Sequence, residues 1–380
     1  MKLKLLFITH DTTRTGAPMV LLHFLRWLRK HQPQVGVDVL ALRGGNMEEE
    51  FQENCSNYYN YSLQTKTTTL SIIQRILKKL HIYKQKNTKD VFLSNLAKNG
   101  YDVIYANTIV SIPIAVALKK ISLKSKVLAH IHELNTVINQ LLPNFNQYVE
   151  SVDGFITASN LVANNLIKNR LIDSELVATI YECAIVDSNF KALPKKHNNF
   201  VVGASGHVSW RKGYDVFLQV ASYINKHYDA DNIIFEWVGN INKDVKFIIE
   251  ADIEKMGLQN KVHFVGELEN PNLKFSNFNV FLMTSREDPF PLVCIELGML
   301  GKPIISFQNA VGTNEVIKDR GGFVVPYLDI EEMSKSVMKY YDDKNLIEEH
   351  GSYNKSAFSN FNPDLICPKY YAEILRVLDT

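Results

Sequence analysis

Residues 284–301 read TSREDPFPLVCIELGMLG. Residues 291–300, PLVCIELGML, are apolar nearly all the way round, as a buried helix is. Pro291 suits a first helical position, where no N–H bond is lost, and Gly301 followed by Lys-Pro suits a helix stop. Glu296 interrupts this run, and Asp288 stands before it in a proline-rich turn. An ionised carboxylate on a buried helix is costly unless something holds it. The apolar residues just upstream, 279–284, read as a β-strand. The stretch is therefore strand, turn, helix, with two carboxylates at the turn.

The same theme runs outward in both directions. Strands are expected at 3–9, 36–42, 101–106, 126–131, 153–158 and 176–181, with helices near 18–31, 47–54, 70–98, 111–121, 136–149 and 159–170. Further strands are expected at 200–204, 233–238, 261–265, 279–284, 303–307 and 323–325, with helices near 212–228, 243–256, 289–300, 312–318 and 329–349. Repeated βαβ units imply parallel, doubly wound sheets. The polar stretch 188–199, SNFKALPKKHNN, reads as a linker. The chain thus reads as α/β, with two tandem Rossmann-like doubly wound parallel sheets and a cleft between them. The expected domains are 1–190 and 197–361, with a C-terminal helical segment at 362–380 that could pack back on the first domain.

Composition narrows the class. The 380 residues carry a formal net charge of +2, so nothing overall calls for a nucleic acid partner. Residues 1–190 hold 21 Lys and Arg against 15 Asp and Glu, whereas the remainder is acidic, which points to different surfaces on two domains. Cysteines 55, 183, 294 and 367 are far apart, without zinc-ligand spacing or a disulfide framework, so a reducing cytoplasmic setting is expected. MKLKLLFITHD has a short apolar run that reads as a first strand rather than a signal peptide, and no segment has the length of a membrane span.

Ligands of open α/β sheets bind outside the carboxyl ends of the strands, so the strand–helix turns are the places to search. THDTTRTGAPM (9–19) offers Gly16 at a helix start, where free N–H groups can face an anion, though any such turn needs a glycine or a cap. GASGHVSWRKGYDVF (203–217) offers Gly206 for close backbone approach, with Arg211 and Lys212 beside a helix start. That combination suits phosphate; the bland alternative is a solvated basic pair. In the opening stretch, Asp288 and Glu296 flank helix N–H donors and could grip hydroxyl-bearing groups on either side of a phosphate. The alternative is that Asp288 caps the helix while Glu296 pairs with a nearby Arg.

These motifs resemble the family-4 retaining glycosyltransferases, whose fold is called GT-B. Their hallmark is an acid, seven residues, then a glutamate, followed by a small-residue helix and Gly-x-Pro; Asp288 and Glu296 have that spacing. The first acid is usually Glu, and Glu287 lies one residue outside the pattern. NAVGTNEVIKDRGGFVV (309–325) matches a further family run at Gly312, Glu315 and Gly322. In the SWRKG loop the family places an Arg five residues before its Lys-Gly; here that position is His207, with Arg211 beside the lysine instead. His132 in HIHELN (130–135) matches the family's histidine at a strand end, and Gly16 its first glycine loop, with Thr-Gly for the usual double glycine.

The resemblance implies a metal-independent transferase that moves a hexose-type sugar from a nucleotide-diphosphate-sugar, with retention, to a glycan or glycolipid acceptor in cell-surface polysaccharide synthesis. It implies no cofactor. Glu296 would hold ribose hydroxyls, Asp288 and His132 would contact the donor sugar, and Arg211, Lys212 and the helix N–H groups would neutralise the diphosphate. Gly206, Glu287, Phe290, Pro291, Leu292 and Val293 complete the expected donor site. A nucleotide-sugar epimerase and a non-catalytic nucleotide-sugar-binding protein share such a fold and remain alternatives. The basic stretch RILKKLHIYKQKNTK (75–89) interleaves lysines with apolar residues and could lie on an anionic membrane surface, which would make the protein peripheral at the inner face and favour a lipid-linked acceptor.

Overall fold

The computed structural model describes residues 3–66, 88–186 and 199–379. Residues 188–198 of the expected linker (188–199) and residues 75–87 of the basic stretch (75–89) lie outside the described residues. Contacts divide the chain into two units: residues 1–157, 165–180 and 367–380 form the first, and residues 158–164 and 181–366 the second.

The first unit is a seven-stranded parallel sheet. Its strands are β1 (Lys4–Thr9), β2 (Gly36–Ala41), β3 (Asn57–Asn60), β4 (Val103–Asn107), β5 (Lys126–Ile131), β6 (Gly154–Thr157) and β7 (Val177–Thr179). Their spatial order is β3-β2-β1-β4-β5-β6-β7. The central strands are apolar on both faces because helices cover both, and Leu5, Leu6, Phe7 and Ile8 are at most 1% exposed. Helix Pro363–Asp379 supplies part of that cover. The Tyr370 ring lies 5.4 Å from Phe24 and 5.1 Å from His130.

The second unit is a six-stranded parallel sheet of order β10-β9-β8-β11-β12-β13. These strands are β8 (Phe200–Ser205), β9 (Ile233–Val238), β10 (Val262–Gly266), β11 (Val280–Met283), β12 (Ile304–Phe307) and β13 (Gly322–Val325). In this sheet the strand order reverses between β8 and β11, which opens a crevice at their carboxyl ends. Both doubly wound sheets expected from the sequence are therefore present.

Three local readings are corrected. Strand β3 was not expected: NYYN is short and its side chains are only partly buried, so it lacks an apolar run. The single helix expected at 329–349 is two, Ile330–Asp342 and Lys344–Phe358. Asp343 ends the first in extended backbone and caps the second, accepting from the N–H of Asn345 at 2.9 Å. The helix after β11 spans Leu292–Met299, with Pro291 before it at the N-cap (φ −65°, ψ 127°) rather than in its first turn. Gly301 stops the chain beyond this helix as expected, at φ +68°.

Asp343→Ala removes a side-chain cap, and a loss of about 1 kcal/mol of stability is expected in urea unfolding.

Candidate functional site

The crevice of the second unit is bordered by the loop after β8 (206–213) and the loop after β11 (284–291). Their backbones are fastened together. Arg286 donates its N–H to the Arg211 carbonyl at 2.8 Å, and Thr284 Oγ1 donates to the Lys212 carbonyl at 3.0 Å. Arg286 Nη1 reaches the Trp210 carbonyl at 2.7 Å, and the same guanidinium grips Asp215 through both carboxylate oxygens at 2.9 and 2.7 Å. Gly213 makes the close approach possible. It caps helix Tyr214–His227 at φ +73°, and a Cβ there would lie 2.0 Å from the Thr284 carbonyl oxygen.

Lys212 and Arg211 meet Asp288 across these loops. Lys212 Nζ lies 2.5 Å from Asp288 Oδ2, which also accepts from Ser285 Oγ at 3.1 Å. Arg211 Nη1 lies 3.5 Å from Asp288 Oδ1 and donates to the Glu287 carbonyl at 2.9 Å. The Asp288 side chain is 7% exposed, that of Lys212 14% and that of Arg211 37%, so the charges are graded from core to surface. Burial pushes the Asp288 carboxyl up, but the Lys212 and Arg211 charges and the Ser285 hydroxyl outweigh it and hold the group below the usual carboxylate range. Burial, with Arg211 alongside, lowers Lys212 from the ordinary lysine value, against the opposing pull of Asp288. The Asp288 backbone is fixed as well. Its N–H donates to the Ala310 carbonyl at 2.8 Å, and its carbonyl accepts from the Gly312 N–H at 3.1 Å.

Glu296 stands differently. It is half-buried in helix Leu292–Met299, and its carboxylate has no hydrogen bond or ion pair among the described residues. Burial alone pushes its pKa up to about 7. The two bland alternatives for these acids are absent: no side chain caps this helix, and the nearby arginines are engaged with Asp215 and Asp288. The N–H groups of Leu292 and Val293 have no acceptor among the described residues, so the helix start is open to an anion.

The other expected residues are placed as follows. Gly206 follows β8 at φ +138°, and a Cβ there would lie 3.1 Å from the Lys212 side chain, so glycine leaves that chain its path. Pro291, Leu292 and Val293 form the turn into the helix, and Glu287 is half-buried beside Arg211. Phe290 is 1% exposed and packs against the rings of Tyr181 (4.9 Å) and Phe361 (5.3 Å), so its side chain belongs to an aromatic core cluster rather than to an open site. Glu315 caps a helix: its carboxylate accepts from the N–H groups of Asn160 (3.1 Å) and Leu161 (2.9 Å) and from Tyr181 Oη (2.8 Å). His207 is exposed.

Gly16 and His132 belong to the first unit. Gly16 begins helix Gly16–His31 after β1, and a side chain there would meet nothing within 4 Å. His132 follows β5 with its Nε2 3.0 Å from Asn107 Oδ1 and its ring 3.9 Å from that of His130. His130 is held in turn by the Tyr105 hydroxyl at 2.8 Å.

Sequence reasoning missed Ser285, Thr284 and the backbone of residues 310–312. A serine three residues before the acid was a usable signal for Ser285, because short side chains at that spacing often bond locally. Nothing in the sequence marks the 310–312 backbone. Among the described residues no group of three or more His, Cys, Asp or Glu side chains gathers as metal ligands. No described helix is long and apolar enough to cross a membrane.

Residues 186–357 match the family described as "Glycosyl transferases group 1". The capsular polysaccharide biosynthesis glycosyltransferase CapM of Staphylococcus aureus is 24% identical over 165 residues, covering 43% of this chain and 42% of that protein. The Escherichia coli UDP-Gal:alpha-D-GlcNAc-diphosphoundecaprenol alpha-1,3-galactosyltransferase is 27% identical over 164 residues, covering 42% of this chain and 41% of the relative. The chain thus spans about two fifths of the length of each of these two relatives. Among solved structures, Anabaena Alr3699/HepE in complex with UDP aligns at a TM-score of 0.78 and 17% identity, covering 99% of this chain and 100% of that one. Sucrose-phosphate synthase from Thermosynechococcus elongatus aligns at 0.76 and 19% identity, covering 99% of each. This likeness shows the fold, the two-domain α/β architecture of the GT-B glycosyltransferases.

Glu296 makes stability depend on pH with a definite sign. Its folded pKa is raised, so the folded chain holds this proton more tightly than the unfolded chain, and ionising it costs stability as pH rises from about 4.5 to about 7. The gain in melting temperature of Glu296→Gln over wild type is therefore expected to be small near pH 4.5, to grow through pH 7 and to level off above it in thermal scans. Gly213→Ala combines a strained φ with a backbone clash, and a loss of about 2 kcal/mol or more is expected in urea unfolding.

Proposed function

We propose that the chain is a retaining, family-4 glycosyltransferase that moves a hexose-type sugar from a nucleotide-diphosphate-sugar to a glycan or glycolipid acceptor in cell-surface polysaccharide synthesis. One observation carries this reading: an unpartnered Glu296 carboxylate stands on an open-ended helix beside the Arg211–Lys212 pair. A carboxylate without an internal partner suits ligand hydroxyls, and a helix start with two cations suits phosphate. The match to group 1 glycosyl transferases over 186–357 covers all of these residues. The named relatives that act in capsular polysaccharide and lipid-linked oligosaccharide synthesis support the acceptor class.

The chemistry follows from charge. Breaking the bond between the sugar and the diphosphate leaves negative charge growing on the departing phosphate. Arg211, Lys212 and the N–H groups of Leu292 and Val293 stabilise that charge more in the transition state than in the bound donor. Glu296 accepts hydrogen bonds from ribose hydroxyls and fixes the nucleotide in both states. Cationic side chains perform the neutralisation, so the donor binds without a divalent metal.

Calorimetry with UDP, GDP and ADP in excess chelator tests the site. Binding of at least one is expected. Glu296→Ala is expected to weaken it roughly ten- to a hundredfold, the scale of a lost charge-assisted hydrogen bond. No binding by any of the three would reject the donor site, and binding restored only by magnesium or manganese would reject the metal-independent form. Product analysis with radiolabelled donor sugar would show transfer; an isomerised nucleotide-sugar would instead make the protein an epimerase.

A further inference from the structure

We infer that Asn107 is a positioning residue for His132: it fixes a hydrogen of that imidazole on Nε2 and so makes Nδ1 the acceptor nitrogen of the neutral ring. The geometry stands by itself; its bearing on sugar transfer rests on the glycosyltransferase reading given above.

Asn107 ends β4, and its side chain lies between two other elements of the first unit. It is 1% exposed, and both ends of its amide are engaged. Nδ2 donates to the carbonyl of Ala17, in the first turn of helix Gly16–His31, at 3.1 Å. A carbonyl can only accept, so this contact decides which end of the amide is the NH2 group. Oδ1 therefore faces His132 Nε2, at 3.0 Å. The amide oxygen also only accepts, so Nε2 must carry a hydrogen in the neutral ring as well as in the charged one. A proton then comes and goes at Nδ1 alone.

The surrounding backbone holds this arrangement. Ser111 Oγ donates to the Asn107 carbonyl at 3.0 Å, and the Thr108 N–H to the His130 carbonyl at 2.9 Å. The buried Glu133 carboxylate accepts from the N–H groups of Ile109 (3.4 Å) and His132 (2.9 Å), which ties the loop after β4 to the loop after β5. Thr108 itself stands at φ +84°, a left-handed value that a β-branched residue rarely adopts. Its buried hydroxyl has no hydrogen-bond partner among the described residues. Strain of this kind persists only where the surroundings over-determine it, and it clusters at functional sites. Here it directly follows the residue that holds the ring. The His130 ring, 3.9 Å from that of His132, restricts its rotation further.

Nitrogen-15 NMR of histidine-labelled protein tests the assignment without any ligand. His132 is identified by the signals missing from His132→Gln. At pH 8, above the ordinary histidine range, the wild-type ring should show a protonated Nε2 and an unprotonated Nδ1. The Nε2 hydrogen should give a cross-peak to the Asn107 side-chain amide. In Asn107→Leu the two nitrogens should move toward a common shift as the two tautomers exchange. Asn107→Asp keeps an acceptor facing Nε2 and should keep the wild-type pattern; with the wild-type cross-peak it decides the matter even where Asn107→Leu does not fold. A wild-type ring with its hydrogen on Nδ1, or a pattern that Asn107→Leu leaves unchanged, overturns the inference. In assays of radiolabelled sugar transfer, Asn107→Leu should lower kcat roughly tenfold or more while affinity for UDP, GDP and ADP stays within about twofold of wild type. Unchanged transfer would overturn the positioning role. A wild-type protein that binds none of the three nucleotides would reject the donor site instead, and would leave the hydrogen on Nε2 where the NMR places it.

Discussion

A buried charge requires a counter-charge, and in the second unit that requirement joins the two loops on which the site is built. Lys212 follows β8 and Asp288 follows β11, 76 residues apart in sequence and 2.5 Å apart in the fold. Removing one member of such a pair leaves an uncompensated ion, typically costing 3–5 kcal/mol, whereas replacing both with apolar groups can cost little. The pair is therefore weak evidence for a stability role and good evidence for a geometric one. Around it lie the other fastenings: Arg286 to Asp215, Thr284 to the Lys212 carbonyl, and the Asp288 backbone to residues 310–312.

Within this frame the two acids have opposite electrostatics. Asp288 is surrounded by donors and held ionised. Glu296, a little over one helical turn into Leu292–Met299, has burial without compensation and is pushed up to about 7. Groups whose environments drive their proton affinities apart commonly divide their labour. Here one is engaged by neighbouring side chains, and the other has no ion-pair or hydrogen-bond partner among the described residues.

Much of this was legible in the sequence, for definite reasons. Strands flanked on both faces by helices must be continuously apolar, so runs such as LKLLFIT announce themselves. Glu296 was visible because a charge in an otherwise apolar helix is costly unless a partner holds it, whether a ligand or a nearby Arg. Strand β3 was hidden because NYYN contributes little to the core. The break at Asp343 was hidden because a polar residue fits the solvent side of either one helix or two. Phe290 sat in the donor motif, yet its ring completes a cluster with Tyr181 and Phe361, residues far away in the chain. The partner of Asp288 could not be read either. Spacing gives distances along a helix or strand, while the meeting of residues 212 and 288 depends on which strands are neighbours in space.

The packing of helix Pro363–Asp379 has a consequence for how the chain is made. Tyr370 covers Phe24 and His130, and Val377 sits where a Cβ at Gly154 would strike it at 2.9 Å. The first unit therefore draws on residues 367–380, and the second unit is threaded between its parts. A ribosome moving at roughly 5–20 residues per second would release the whole first sheet well before the helix that covers part of it. During that interval the face around Phe24 is apolar and bare, a surface suited to a chaperone.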